Sequence, residues 1–172
     1  MRLRAYAAAL LVTATVAAPA MAGKVTEKMH VGEKPPDYLG RDIDGNDVLL
    51  SAEPGKVTVI TFWATWCGPC LQEMPVLEAV QKLAGRDHLR VIAINFQEDR
   101  STFKRVNKKL SNFTLTFSYD SSGKIARKFG INAIPHMYIL NKRGEIAKIR
   151  VGYAEGYTQE LADDLNALLV EK

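Results

Sequence analysis

Apolar and polar positions change period several times along the chain, and each change marks an element. Val57-Thr58-Val59-Ile60-Thr61-Phe62-Trp63 is β-branched and nearly all apolar, which fits a strand buried on both faces. From Cys67 the pattern becomes helical. Leu71, Met74, Leu77, Val80 and Leu83 are expected to form the core face of a helix that Gly85 stops. Leu89–Phe96 reads as a second buried strand. Ser101 is expected to cap a helix running to about Leu110, with Phe103, Val106 and Leu110 inward. Residues 113–119 alternate like a strand, and residues 122–129 read as a short helix ended by Gly130. Met137–Leu140 and Glu145–Val151 form a hairpin across Asn141-Lys142-Arg143-Gly144. Tyr157, Leu161, Leu165 and Leu168 mark a C-terminal helix. Upstream, residues 38–50 read as a hairpin turning at Asp44-Gly45-Asn46, followed by a loop through Pro54-Gly55. The alternation of strands and helices argues for an α/β fold, a mixed central sheet covered on both faces.

The N-terminus changes the expected compartment. Arg2 and Arg4 form a short basic region, residues 5–18 are apolar or small, and Ala18-Pro19-Ala20 and Ala20-Met21-Ala22 are both A-x-A patterns. Residues 1–22 therefore read as a secretory signal peptide cleaved after Ala22. An uncleaved membrane anchor is the alternative, although the apolar run is short for a span of about 20 residues. Residues 23–36 are polar and proline-containing and read as a linker. Residues 37–172 then form one domain, and a mature chain of about 150 residues suffices for one core. The expected location is the bacterial periplasm, an oxidising space in which a lone cysteine pair meets dedicated electron donors or acceptors.

Charge narrows the partners. The net charge of +4 includes Arg2 and Arg4, so the mature chain carries about +2. That is no electrostatic case for nucleic acid. Lys104-Arg105 and Lys108-Lys109 lie on a predicted helix and read as a solvated face.

The candidate chemistry is Trp66-Cys67-Gly68-Pro69-Cys70, which holds both cysteines of the chain. With no third cysteine, any intramolecular disulfide joins Cys67 to Cys70. A C-x-x-C at a strand-to-helix junction is the sequence form of a reversible dithiol/disulfide. A structural zinc site would need about four N/S ligands. Only His30, His88 and His136 remain to complete one, and none has paired ligand spacing. A purely structural disulfide would close only a tiny loop and constrain little chain entropy. At a helix N-terminus Cys67 gains from free N–H groups and the macrodipole as an anion, so it is the expected nucleophile. Cys70, three residues on and more buried, is expected to resolve the mixed disulfide. Pro69 lies in the first helical turn, where a missing N–H is tolerated, and Gly68 leaves the sulfur open to a partner's backbone. Pro75 should kink the helix.

Three segments together resemble the thioredoxin fold, and within it the TlpA/ResA-like periplasmic thiol-disulfide oxidoreductases. They are Thr61-Phe62-Trp63-Ala64-Thr65-Trp66-Cys67-Gly68-Pro69-Cys70, Glu73-Met74-Pro75 and Gly130-Ile131-Asn132-Ala133-Ile134-Pro135. The N-terminal hairpin and a central helix-strand insertion at residues 101–119 resemble that branch too, and the likeness covers about residues 31–170. It implies a carboxylate at Glu73 that handles the proton of the resolving cysteine, through a raised pKa in a partly buried site. An ordinary exposed helix glutamate is the alternative. Thioredoxin itself carries an acid six residues before the first cysteine. Here that position is Thr61, so that role does not carry over.

The resemblance also implies a cis bond at Ile134-Pro135, with the Ile134 backbone offered to a substrate strand beside Cys67. His136 departs from the pattern, in which a small hydroxyl residue often follows the proline. It is either a groove residue near the dithiol or a packed strand side chain. Trp66 is expected on the apolar rim of the groove and Trp63 in the core. The implied activity is reduction of chosen protein disulfides, including apocytochrome c haem sites and copper-centre proteins. The expected electron donor is a membrane conduit of the DsbD or CcdA kind. A monomer is expected, with no resident metal and no cofactor beyond the redox-active Cys67–Cys70 pair. The alternatives are a disulfide oxidant or isomerase, and a metallochaperone holding Cu(I) through Cys67, Cys70 and His136.

Overall fold

A computed structural model of the chain describes residues 29–154 and 156–171. The expected signal peptide, residues 1–22, and the first part of the expected linker lie outside those residues. The elements run β1 (Tyr38–Arg41), β2 (Asp47–Leu49), β3 (Val57–Trp63), α1 (Gly68–Ala84), β4 (Leu89–Phe96) and α2 (Arg100–Lys109). They continue through β5 (Thr116–Asp120), α3 (Lys124–Lys128), β6 (His136–Leu140), β7 (Ile146–Val151) and α4 (Tyr157–Val170).

The strands form one sheet in the order β2-β1-β5-β4-β3-β6-β7. β3 pairs in parallel with β4 and β4 with β5, whereas β6, β7, β1 and β2 join antiparallel. This is the mixed sheet expected from the pattern. The carboxyl ends of the three parallel strands share one edge, and β3 hands the chain to α1 there.

β3 is buried at every position because both its faces are covered. Val57, Val59 and Trp63 pack with Met74 and Leu77 of α1, Phe103 of α2 and Leu161 and Leu165 of α4. Ile60 and Phe62 point the other way, into a second cluster with Ile125 and Ala126 of α3, Phe129, and Tyr138 of β6. Among the described residues no helix is long and apolar enough to cross a membrane.

Four details correct the pattern reading. The buried face of α1 is Cys70, Glu73, Met74, Leu77, Glu78 and Gln81. Leu71 and Leu83 are exposed, Leu83 to 90 %. The reason is geometric. A strict three-residue step drifts by about 60° each time around a helix of 3.6 residues per turn, so a long series leaves the core face. The N-cap of α2 is Asp99 rather than Ser101, because the Asp99 carboxylate accepts the Thr102 N–H at 2.9 Å. The fifth strand begins at Thr116, later than the alternation suggested. Finally, part of the expected linker is docked. Gly32 N–H donates to Ile146 O and Ile146 N–H donates to Glu33 O, both at 2.8 Å.

The polar residues on the buried face of α1 complete the sheet. β5 pairs with β4 only from Thr116 opposite Ile92 onward. At that margin the Val91 N–H donates to Gln81 Oε1 at 2.7 Å, and Gln81 Nε2 donates to Thr114 Oγ1 at 2.8 Å. Glu78 Oε2 accepts the Thr114 N–H at 2.8 Å. Gln81 is 1 % exposed, so no water can replace it without a gap. Gln81→Leu leaves a buried N–H unpaired and is expected to cost about 1–3 kcal/mol, read by urea unfolding of the oxidised protein.

Candidate active site

The cysteine motif is placed by the end of β3 and the start of α1. After Trp63 the chain leaves the sheet through Ala64-Thr65-Trp66, and Cys67 N–H bonds back to Ala64 O at 3.1 Å. Cys67 is the N-cap of α1, and its sulfur accepts the Cys70 N–H at 3.3 Å. Pro69 occupies the first turn, which is compatible with its missing N–H. Cys67 and Cys70 form a disulfide with a Cα–Cα distance of 5.3 Å. Cys70 is fully buried and Cys67 nearly so, while Gly68 and Pro69 are exposed beside them. Trp66 is 67 % exposed, and Leu71 also faces solvent, so two apolar side chains flank the disulfide on the surface.

Glu73 lies one helical turn beyond Cys70. It is 1 % exposed, more deeply buried than the partly buried site expected from the sequence. Thr61 Oγ1 on β3 donates to Glu73 Oε2 at 2.8 Å, and the Tyr157 hydroxyl at the start of α4 donates to Glu73 Oε1. Burial pushes the Glu73 carboxyl above its ordinary pKa, and the two hydroxyl donors pull partly against that shift. The Tyr157 phenol is itself pushed up, by burial and then by Glu73, so it remains the donor. Thr61 stands where thioredoxin carries its acid. Here that strand position receives the carboxyl of Glu73, delivered from the helix.

A second acid fixes the loop before the cysteines. Glu98, in the turn after β4, accepts the Thr65 N–H at 2.8 Å and the Asn95 Nδ2–H at 2.6 Å, and it also accepts the Thr65 hydroxyl. The Ile134–Pro135 bond is cis, and it directly precedes β6. Pro135 is buried and Ile134 half-buried.

His136 does not line an open groove. It pairs with Phe62 in the β3–β6 ladder, and paired residues share a face. Phe62 belongs to the cluster on the α3 side, whereas Cys67, Cys70 and Met137 belong to the cluster under α1. His136 is 1 % exposed and stacks on Tyr138 at 5.0 Å. This corrects the groove assignment. It also removes the third ligand of a Cys67–Cys70–His136 copper site, because the imidazole points to the opposite side of the sheet. Among the described residues, no group of three or more His, Cys, Asp or Glu side chains is placed to hold a metal ion.

Sequence reasoning missed Tyr157 and Glu98 as site residues. Tyr157 read as one more apolar position of an amphipathic helix, and only the tertiary fold brings its hydroxyl to Glu73, 84 residues away in sequence. Glu98 sits in a polar turn with no motif around it.

Comparison with known proteins agrees with this geometry. A family model described as Redoxin matches residues 17–167. Thioredoxin-like protein YneN of Bacillus subtilis is 37 % identical over 123 residues, 70 % of this chain and 71 % of that protein. Thiol-disulfide oxidoreductase ResA of Geobacillus thermodenitrificans is 29 % identical over 147 residues, 83 % of each chain. Among solved structures, StoA of Bacillus subtilis matches with a TM-score of 0.60 and 26 % identity over 76 % of this chain and 96 % of that one. A Chlorobium tepidum protein provisionally named thiol:disulfide interchange protein DsbE matches with a TM-score of 0.72 and 27 % identity, over 83 % of this chain and 99 % of that one. With a disulfide at the head of α1, a cis-proline before β6 and these relatives, the chain belongs to the Redoxin family, in its TlpA/ResA-like branch of thiol-disulfide oxidoreductases.

Proposed function

We propose that the protein reduces particular disulfides of other proteins through Cys67 and Cys70, using no redox group beyond that pair. The observation that carries this reading is a disulfide at a helix N-terminus with the buried Glu73 carboxyl one turn below it. In the reduced enzyme the Cys67 thiolate, favoured by the N–H groups of the first turn, attacks a substrate disulfide. A mixed disulfide forms and the first substrate sulfur leaves as a thiolate. Glu73, as carboxylate, takes the proton of Cys70, and the Cys70 thiolate attacks Cys67 Sγ. The second substrate sulfur leaves, and two protons complete the substrate thiols. Two electrons have passed to the substrate, and the enzyme is left with the Cys67–Cys70 disulfide.

Exposed Trp66, Gly68 and Pro69, with the backbone at Ile134-Pro135, form the surface we assign to the substrate chain. The Gly-Pro dipeptide between the cysteines favours a reductant over an oxidant. The resemblance to the TlpA/ResA-like branch points to apocytochrome c haem sites or copper-centre proteins as substrates. The signal-like N-terminus supports action in the periplasm, and we take the protein to act as a monomer. A reductant in that oxidising space must be recharged, and a membrane conduit of the DsbD or CcdA type fits the need.

Cys70→Ser, reduced and mixed with a disulfide peptide, is expected to stop at a mixed disulfide through Cys67. Cys67→Ser is expected to give no adduct and no turnover. Mass spectrometry of the quenched reaction separates the two, and an adduct on residue 70 in Cys67→Ser would reverse the roles. Glu73→Gln is expected to slow resolution by about 100-fold at neutral pH, the scale of a lost general base.

A stability measurement on the oxidised protein reads the same carboxyl without turnover. Because its folded pKa lies above the ordinary value, folded protein holds a proton there that unfolded protein has released. The contribution of Glu73 to stability is therefore full below the ordinary carboxyl pKa. It falls as pH rises through the raised one. Urea unfolding across that window should slope downward in the wild type and flatten in Glu73→Gln.

A further inference from the structure

The mechanism above leaves two buried hydroxyls of the site unused, those of Thr61 and Tyr157, and the one at Tyr157 reaches Glu73 from a different layer of the fold. Tyr157 is the first residue of α4, and Gly156 before it turns the chain into the helix at a left-handed φ of 81°. Its hydroxyl donates to Glu73 Oε1 and lies 3.7 Å from Met137 Sδ, on the strand that follows the cis-proline. The ring is held from outside the core. It packs on Tyr153 at 4.6 Å between centroids, and the Arg150 guanidinium lies 5.8 Å from its centroid. Arg150 is tied in turn to Asp164 and Glu160 of α4, with its closest contact to Asp164 at 2.6 Å.

Among the described residues, few groups face Glu73. On its own helix there is Cys70. From β3 comes the neutral Thr61, from β6 the neutral Met137, and from α4 the Tyr157 phenol. Behind the phenol stand Tyr153, then Arg150 with Glu160 and Asp164. Each carboxylate oxygen thus receives one protein hydroxyl, and among the described residues no cation is paired with either. A buried carboxylate that lacks a cationic partner depends on its hydrogen-bond donors both for position and for its charged form.

We propose that Tyr157 is a positioning residue for Glu73: its hydroxyl orients the carboxyl toward the resolving cysteine and sets the pH at which the carboxyl can take the proton of Cys70. The inference rests on the proposed role of Glu73 for its catalytic half only. Its structural half, that the phenol governs the titration of Glu73, stands by itself. Losing one donor to the charged form should move the Glu73 midpoint upward by about one pH unit, the scale of one hydrogen bond to a charged group. The resolving step should shift to higher pH with it.

The test uses Tyr157→Phe, which keeps the ring and its packing and removes only the oxygen. In oxidised protein carrying ¹³C-labelled glutamate, the Glu73 carboxyl resonance, assigned by its absence in Glu73→Gln, is followed across pH. The expected result is a midpoint displaced upward by about one unit, with a matching displacement of the pH–rate profile for resolution. In the Glu73→Gln background, Tyr157→Phe should leave that profile where it was. An unmoved carboxyl midpoint in Tyr157→Phe overturns the proposal outright. A displaced midpoint with an unmoved rate profile keeps Tyr157 as governor of Glu73 and overturns instead the role of Glu73 in resolution. A residue that served packing alone would lower thermal stability and move neither readout. Should Tyr157→Phe fail to fold, 3-fluorotyrosine placed at position 157 supplies a stronger donor of nearly the same shape. It must then move the carboxyl midpoint downward, and an unmoved midpoint there overturns the proposal equally.

Discussion

A carboxyl group shut away from water beneath a disulfide is the constraint on which this site depends. Burying a carboxylate is costly unless hydrogen bonds satisfy it, and raising its pKa is the usual outcome. Three separate parts of the chain meet at Glu73 to make it tolerable: Thr61 from β3, Tyr157 from α4, and α1 itself. The position of α4 against β3 and α1, fixed by Leu161 and Leu165 in the core, is therefore also the position of a hydrogen bond in the site. Packing and chemistry share the same contacts.

The cysteines are held by a complementary arrangement. The strand β3 is clamped on both sides by paired strands, so its end is rigid, and only residues 64–67 separate it from α1. Glu98 ties Thr65 to the turn after β4, so the short link between strand and helix is braced from the neighbouring strand. Rigid placement matters because thiol–disulfide exchange needs the attacking sulfur in line with the bond it breaks. The surface above is less constrained. Trp66 and Leu71 offer apolar area without a deep pocket, a shape suited to a polypeptide segment rather than to a small molecule.

Much of this was legible in the sequence, for identifiable reasons. β3 was visible because a strand buried on both faces must be apolar throughout, and α1 because the cysteine motif and Gly85 bracket it. The cis Ile134–Pro135 bond and the depth of Cys70 were anticipated from the motifs. What failed was finer. The stripe from Leu71 to Leu83 misled because its three-residue spacing winds off the core face, while Glu73, Glu78 and Gln81, polar by type, are the residues turned inward. No periodicity rule puts a glutamate or glutamine in a core. They are there because Thr61, Tyr157, Thr114 and the Val91 N–H bond them. His136 misled in the opposite sense. Next to the proline in sequence, it sits across the sheet from the sulfurs, since successive strand residues face opposite sides.

The central claim is that the Cys67–Cys70 pair gives electrons to its partners. The equilibrium reduction potential of that pair at neutral pH, measured in dithiothreitol redox buffers, tests this most directly. The account predicts a value of about −250 mV or lower, in the range of reducing thioredoxins. A value near about −120 mV, that of a strong oxidant such as DsbA, would contradict it.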